Sequence, residues 1–176
     1  MGLSPGAWGR EGSGPSCTGL DDPGDKENHP GGSSVTHHVD YRAAFKRLPN
    51  AVALLSPDLI ILDISDGYLD AAGCGPDRIL GRNILEAFPE NPNDPDDTGP
   101  GDLRASLESV LATGMPDFIN TTKYDVEDQG HPGEFEERYW TIANVPIRDD
   151  EGQTTMIIHM AHEQTSLVHG VRSANA

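Results

Sequence analysis

Seven histidines (His29, His37, His38, His131, His159, His162 and His169) are the first residues to weigh, because imidazole ligates metals and moves protons near neutral pH. Their spacing gives no metal site. His37 and His38 are neighbours at the edge of a Gly/Pro/Ser-rich segment. His159 and His162 are three apart in a stretch that reads as a strand, so they point to opposite faces and cannot chelate one ion together. His159 is a lone polar group in an apolar strand, read either as a hydrogen-bonded core or edge histidine or as a ligand contact. Glu136-Glu137-Arg138 forms a second cluster. On a strand, Glu136 and Arg138 share a face and Glu137 takes the other. The plain reading is a surface ion pair worth at most about 1 kcal/mol. The sharper reading is that Arg138 or Glu137 points into a cavity and selects a polar ligand. Were the chain an acid–base enzyme, His159 and Glu137 would be the pair to test.

Other chemistries lack their parts. Neither Cys17 nor Cys74 stands in a zinc or redox spacing, which reads as a reducing, cytoplasmic setting. There is no Gly-x-Ser-x-Gly elbow and no phosphate-loop spacing of glycines. Glu90–Gly101 holds Glu90, Asp94, Asp96 and Asp97, but prolines interrupt any alternation of calcium ligands and no glutamate closes the site. It reads as a solvated loop. The formal net charge of -17 argues against nucleic acid and anionic membrane surfaces as partners. No apolar run is long enough to span a bilayer, and the N-terminus lacks signal-peptide and myristoylation patterns.

The elements that must position these residues follow from periodicity. Nearly half of residues 1–38 are Gly, Pro or Ser, so this tail is expected to be disordered. Val39–Leu48 carries a loose apolar stripe and reads as a helix that ends at Pro49-Asn50. Ala51–Leu55 and Leu59–Ile64 are apolar runs joined by the turn residues Ser56-Pro57-Asp58, a β-hairpin signal. Ser65 and Asp66 are helix caps. Gly73-Cys74-Gly75-Pro76-Asp77 then breaks the chain, and short helical pieces carry Ile79, Leu80, Ile84, Leu85 and Phe88. Asp102–Thr113 is the clearest helix, with Leu103, Leu107, Val110 and Leu111 on one face and Gly114 as its stop. Strand signals cover Asp117–Val126, Phe135–Ile147 and Gln153–His162. In the second, Phe135, Glu137, Tyr139, Thr141, Ala143 and Val145 point one way; Glu136, Arg138, Trp140, Ile142 and Asn144 point the other. In the third, Ile157, His159 and Ala161 share a face. Short loops make these three an antiparallel meander.

The order is helix, two strands, several short helices, three strands, and it resembles the PAS fold. Pro57-Asp58 through Ser65-Asp66-Gly67-Tyr68-Leu69 resembles the first hairpin and helix of PAS sensor domains. Gly81-Arg82-Asn83 resembles the motif that closes their short-helix segment. Phe88-Pro89-Glu90-Asn91-Pro92, Leu103–Leu107, Lys123-Tyr124-Asp125 and Phe135–Trp140 look like a bacterial subgroup found upstream of histidine kinases, phosphatases and cyclases. The resemblance implies an α+β domain over residues 39–168, with 169–176 as a short tail. It implies a five-stranded antiparallel sheet of order 2-1-5-4-3 with short helices on one face, and a sensory rather than an enzymatic role. Between sheet and helices a small molecule would lie, with Tyr68, Ile84, Phe88, Leu107, Tyr124, Arg138, Tyr139 and His159 as candidate contacts. Tyr139 and Trp140 must face opposite ways, one toward the pocket and one toward the outer surface.

Output would pass through a homodimer or a separate signalling protein such as a histidine kinase or phosphatase, since no effector segment is seen within the sequence. The alternatives are a ligand-free protein-interaction module and a small α+β enzyme using the same cavity. Flavin adduct chemistry is disfavoured because Ile84 stands where light-oxygen-voltage relatives carry the reactive cysteine. Haem is disfavoured because Asp102–Thr113 holds no histidine. The Asp-x-Thr exit signature of kinase-linked relatives is replaced by Glu163-Gln164-Thr165.

Overall fold

The computed structural model describes residues 39–128 and 130–174. The expected disordered tail, residues 1–38, lies outside the described residues. Helix α1 spans Tyr41–Lys46, capped by the Asp40 carboxylate, which accepts from the Ala43 N–H. Its Lys46 donates to the Ile64 carbonyl at 3.0 Å and pairs with Asp63, which fixes the helix beside the first hairpin.

Strands β1 (Ala51–Leu55) and β2 (Ile61–Ile64) form that hairpin. In its turn, the Leu59 N–H donates to the Ser56 carbonyl and Leu59 takes φ +63°, a left-handed conformation. That costs a non-glycine residue about 1 kcal/mol or more. Leu59 stays there because its side chain packs on the core. Ser65 then does three things at once. Its Oγ accepts from the N–H groups of Tyr68 and Val52, at 3.2 and 3.0 Å, and donates to the Asn50 carbonyl at 2.7 Å. A helix cap is thereby also a clasp between helix α2 (Asp66–Ala72) and strand β1. Gly67 lies so close to the preceding segment that a Cβ would sit 2.1 Å from the Pro49 carbonyl oxygen.

Gly73 ends α2 in the left-handed region. A single 3-10 turn, Pro76–Arg78, leads to Gly81-Arg82-Asn83. This motif is stitched to the hairpin: Gly81 N–H donates to the Ile61 carbonyl, Ile61 N–H to Arg82, and Ile84 N–H to Leu59, each at 2.9 Å. Asn83 caps helix α3 (Ile84–Ala87). Helix α4 (Gly99–Thr113) starts three residues before its expected Asp102 and stops at Gly114 as expected. Leu103, Leu107 and Val110 are buried on its inner face.

Strands β3 (Asp117–Lys123), β4 (Tyr139–Arg148) and β5 (Thr154–Glu163) complete one antiparallel sheet of order β2-β1-β5-β4-β3. This is the expected 2-1-5-4-3 arrangement, with the short helices over one face. The chain leaves the sheet after Lys123 and returns at Tyr139, making a two-residue ribbon of Val126–Glu127 with Phe135–Glu136. The strand expectations for 117–126 and 135–147 are shortened accordingly. The physical reason is local: the Tyr124 carbonyl is taken by the Trp140 indole at 2.9 Å, and Asp125 N–H donates to the Asp97 carboxylate. These bonds replace a continued ladder.

The 90–98 loop is also more anchored than its composition suggested. Asp97 and Asp125 are buried, Asn91 donates to Asp125 at 2.7 Å, and Lys123 pairs with Asp94. At the far end the chain does not tail off at 169. Helix α5 spans Thr165–Ala174 and crosses that boundary.

Candidate functional site

The sheet and the short helices do not close completely on each other. Between them lies a cavity lined by Ala51 of β1, Tyr68, Ala71 and Ala72 of α2, Ile84 and Phe88 around α3, and Leu103 of α4. Tyr124, Val126, Trp140, Ile142, His159 and Ala161 complete the wall. Its volume is about 60 Å³. That is room for a small molecule.

The polar groups of the wall are mostly spoken for. Tyr124 donates its hydroxyl to the Phe88 carbonyl at 2.8 Å, and Trp140 donates to Tyr124. Two remain. The Tyr68 hydroxyl and His159 Nε2 have no hydrogen-bond partner among the described residues, and neither atom is sealed off. The two rings meet edge to face with centroids 6.0 Å apart, and Tyr68 meets Phe88 in the same way at 6.0 Å. Burial pushes the Tyr68 phenol far up, so it stays protonated. Burial pushes His159 down to about 4, so its ring is neutral at physiological pH.

Behind His159 runs a buried polar row. His159 Nδ1 lies 2.8 Å from Asn144 Oδ1, Asn144 Nδ2 donates to Ser106 Oγ at 2.9 Å, and Ser106 donates to Asp117 at 2.6 Å. The strands set this up: Asp117 pairs with Asn144 across β3 and β4, and Asn144 pairs with His159 across β4 and β5. Ser106 reaches in from α4. His159, Asn144 and Ser106 are all buried.

Of the residues singled out from the sequence, Tyr68, Ile84, Phe88, Tyr124 and His159 come together in the wall. Leu107, Arg138 and Tyr139 are not brought to it. Leu107 is fully buried in the packed core. Arg138 binds Glu136 at 2.6 Å and Glu163 at 3.2 Å, with a long contact of 3.5 Å to the Ala71 carbonyl. Tyr139 is buried beneath α5, where the Arg172 guanidinium lies 5.0 Å from its ring centre and the His169 ring stands edge-on. Strand parity sends Trp140 inward and Tyr139 outward. Trp140 was legible as a member of the Trp140, Ile142, Asn144 face, and that face is the inner one. The small wall residues Ala51, Ala71, Ala72 and Ala161 carried no signal of their own.

The acid–base pair is not assembled. His159 lies within, bonded to Asn144, whereas Glu137 lies outside with His169 at 3.0 Å and Lys123 at 3.4 Å. His162 is exposed, on the opposite face from His159. His131 meets Asp128 at 2.8 Å near Glu134, on an exposed loop of the ribbon.

A hairpin, a layer of short helices and a three-strand meander enclosing a small cavity define an α+β domain with an antiparallel sheet covered on one face by helices. A family model described as "PAS fold" matches residues 45–169. The chain belongs to the PAS family, whose domains serve as sensory and signalling modules. Solved structures agree on the fold. A PAS domain of a protein from Colwellia psychrerythraea is 14% identical, with 72% of this chain and 95% of that one covered at a TM-score of 0.54. The PAS domain of the fruit-fly ELK potassium channel is 15% identical, with 71% and 94% covered at 0.53. The Rhodobacter sphaeroides light-oxygen-voltage protein is 16% identical, with 69% and 63% covered at 0.53. At these identities the likeness is one of fold alone. No curated protein matches the chain. Among the described residues no helix is long and apolar enough to cross a membrane.

Proposed function

We propose that this PAS domain senses a small, mostly apolar molecule held between Tyr68 and His159, and passes the signal through contacts with a second copy or a separate signalling protein. The observation that carries the reading is the pair of unpartnered polar atoms, Tyr68 Oη and His159 Nε2, in an otherwise apolar wall. Evenly apolar walls are ordinary packing; convergent unpaired polar groups are what orients a ligand. Exposed apolar residues support the second half of the reading. Phe118 and Met160 stand on the outer sheet face, and Leu167 and Val171 are one helical turn apart on α5.

The exit of the chain supplies a route from cavity to output. Arg138 touches the Ala71 carbonyl in the cavity-lining helix and pairs with Glu163 just before α5. Thr165, the first residue of α5, accepts from the Tyr139 N–H at 3.1 Å.

The test is native mass spectrometry of the purified protein, followed by thermal shift against a panel of small aromatic and aliphatic metabolites. Trp140 fluorescence in a Trp8→Phe background reports occupancy of the cavity. A ligand that stabilises the wild type and fails with the cavity-filling Ala72→Leu supports the reading. A ligand present at a hundred times its Kd adds about 2.7 kcal/mol. If nothing is retained and no compound shifts the wild type, the ligand-free interaction module becomes the better account. The same holds if compounds shift wild type and Ala72→Leu alike.

A further inference from the structure

We propose that the cavity selects small neutral molecules carrying a hydrogen-bond donor, and that Asp117, outside the cavity wall, sets this preference through Ser106 and Asn144. The inference rests on the reading of the cavity as a ligand site, and it follows from the direction of each bond in the buried row.

A carboxylate only accepts hydrogen bonds. Ser106 Oγ, 2.6 Å from Asp117 Oδ1, must therefore spend its one proton on Asp117. Its oxygen is left to accept, so Asn144 must present its NH2 group to Ser106, at 2.9 Å. The Asn144 amide is then fixed with its carbonyl oxygen toward β5. That oxygen, 2.8 Å from His159 Nδ1, requires an N–H there. A neutral imidazole carries one ring proton. With Nδ1 protonated, Nε2 is a bare acceptor, and Nε2 is the atom with no partner among the described residues. The low pKa of about 4 that burial imposes on His159 keeps the ring in this neutral form.

The wall thus offers an acceptor that cannot turn into a donor. Tyr68, whose hydroxyl both donates and accepts, does not discriminate. Among the described residues no charged group lines the cavity, so a charged ligand would be desolvated without compensation. The ligand class is a compact apolar body with one N–H or O–H, of the pyrrole or phenol kind. A donorless isostere leaves Nε2 dry and unpaired.

Reversing the row requires only one atom. In Asp117→Asn the new amide can donate to Ser106. Ser106 can then donate to a flipped Asn144, whose NH2 faces His159 Nδ1, and the proton moves to Nε2. Ser106→Ala instead breaks the row and leaves both tautomers open.

The experiment has two arms. Long-range 15N–1H spectra, with His159 assigned by its loss in His159→Gln, read the tautomer without any ligand. Binding of pyrrole against its isostere furan, by thermal shift and Trp140 fluorescence, reads the selectivity. We expect Nδ1–H in the wild type and pyrrole binding about tenfold or more tighter than furan. Asp117→Asn should shift the ring toward Nε2–H and bring the two ligands within about threefold, while Ser106→Ala should give mixed tautomers. An Nε2–H ring in the wild type overturns the assigned polarity whatever binds. Nδ1–H with equal binding of the two overturns the selectivity while the cavity stands as a ligand site. Nδ1–H with neither compound bound overturns the ligand class, and a blank metabolite panel alongside it removes the sensing role too. If Asp117→Asn does not fold, the wild-type tautomer and the Ser106→Ala variant still decide.

Discussion

Asn144 and His159 face each other across β4 and β5, with Oδ1 and Nδ1 2.8 Å apart and both side chains buried. A buried histidine whose ring proton is committed to an amide is a fixed part. It cannot rotate freely. The pair ties the cavity wall to the middle of the sheet and, through Ser106, to α4.

Replacing Asn144 by Leu keeps the volume and removes both bonds. His159 Nδ1–H and Ser106 are left with a buried apolar neighbour. Each unsatisfied group costs about 1–3 kcal/mol, so a loss of roughly 2–6 kcal/mol in urea unfolding is expected. A cost within error of zero would mean that the row is wetter than described.

Acid should weaken the fold before the carboxylates titrate. The folded pKa of His159, about 4, lies below its ordinary 6.5. Between those values the unfolded chain binds a proton that the folded chain refuses. Stability is thus full above pH 6.5 and falls as pH drops toward 4. The expected loss from this residue is on the order of 3 kcal/mol. Asp97, raised by its own burial, acts with the opposite sign nearby, so the comparison is with His159→Gln. That variant should show a shallower slope from pH 6.5 to 4. Identical slopes would place the His159 ring in contact with water.

Lys123 holds together carboxylates that would otherwise repel. Its ammonium pairs with Asp94 and lies 3.9 Å from the buried Asp125 and 3.4 Å from Glu137. The bond to Asp94 pushes its pKa up and holds Asp94 below the usual carboxylate range. Asp125 Oδ1 has no hydrogen bond among the described residues, so Lys123 is its compensation. Lys123→Met should cost about 1–3 kcal/mol in thermal or urea unfolding and speed hydrogen exchange in the 90–98 loop. An unchanged loop would show that Asn91 alone holds it.

Gly67→Ala tests the close approach at the root of the hairpin. The added methyl would meet backbone, the Pro49 carbonyl at 2.1 Å, and backbone there is tied by the Gly67 N–H bond to Leu48. A loss of about 2 kcal/mol or more is expected from thermal unfolding. Gly75→Ala, where a Cβ meets nothing within 4 Å, is the matched control.

Much of this was legible in the chain. Periodicity located α4 and its glycine stop, turn residues located the hairpin, and element order implied the sheet. These are local matters, decided by side-chain spacing and backbone preference. The sequence also held Trp140, Ile142 and Asn144 to one face, because a strand alternates strictly.

What it could not supply was which face turns inward, so Tyr139 and Trp140 stayed interchangeable until the sheet was paired. The loop at 90–98 looked solvated because its anchors, Asp125 and Lys123, lie far along the chain. The cavity wall depends on alanines, whose small size signifies only beside the large residues that surround them. The direction of the buried row arises from four side chains on β3, β4, β5 and α4, whose bonded neighbours lie between 11 and 38 residues apart. Hydrogen-bond polarity is a property of neighbours in space, and only the folded sheet sets Asp117, Ser106, Asn144 and His159 side by side.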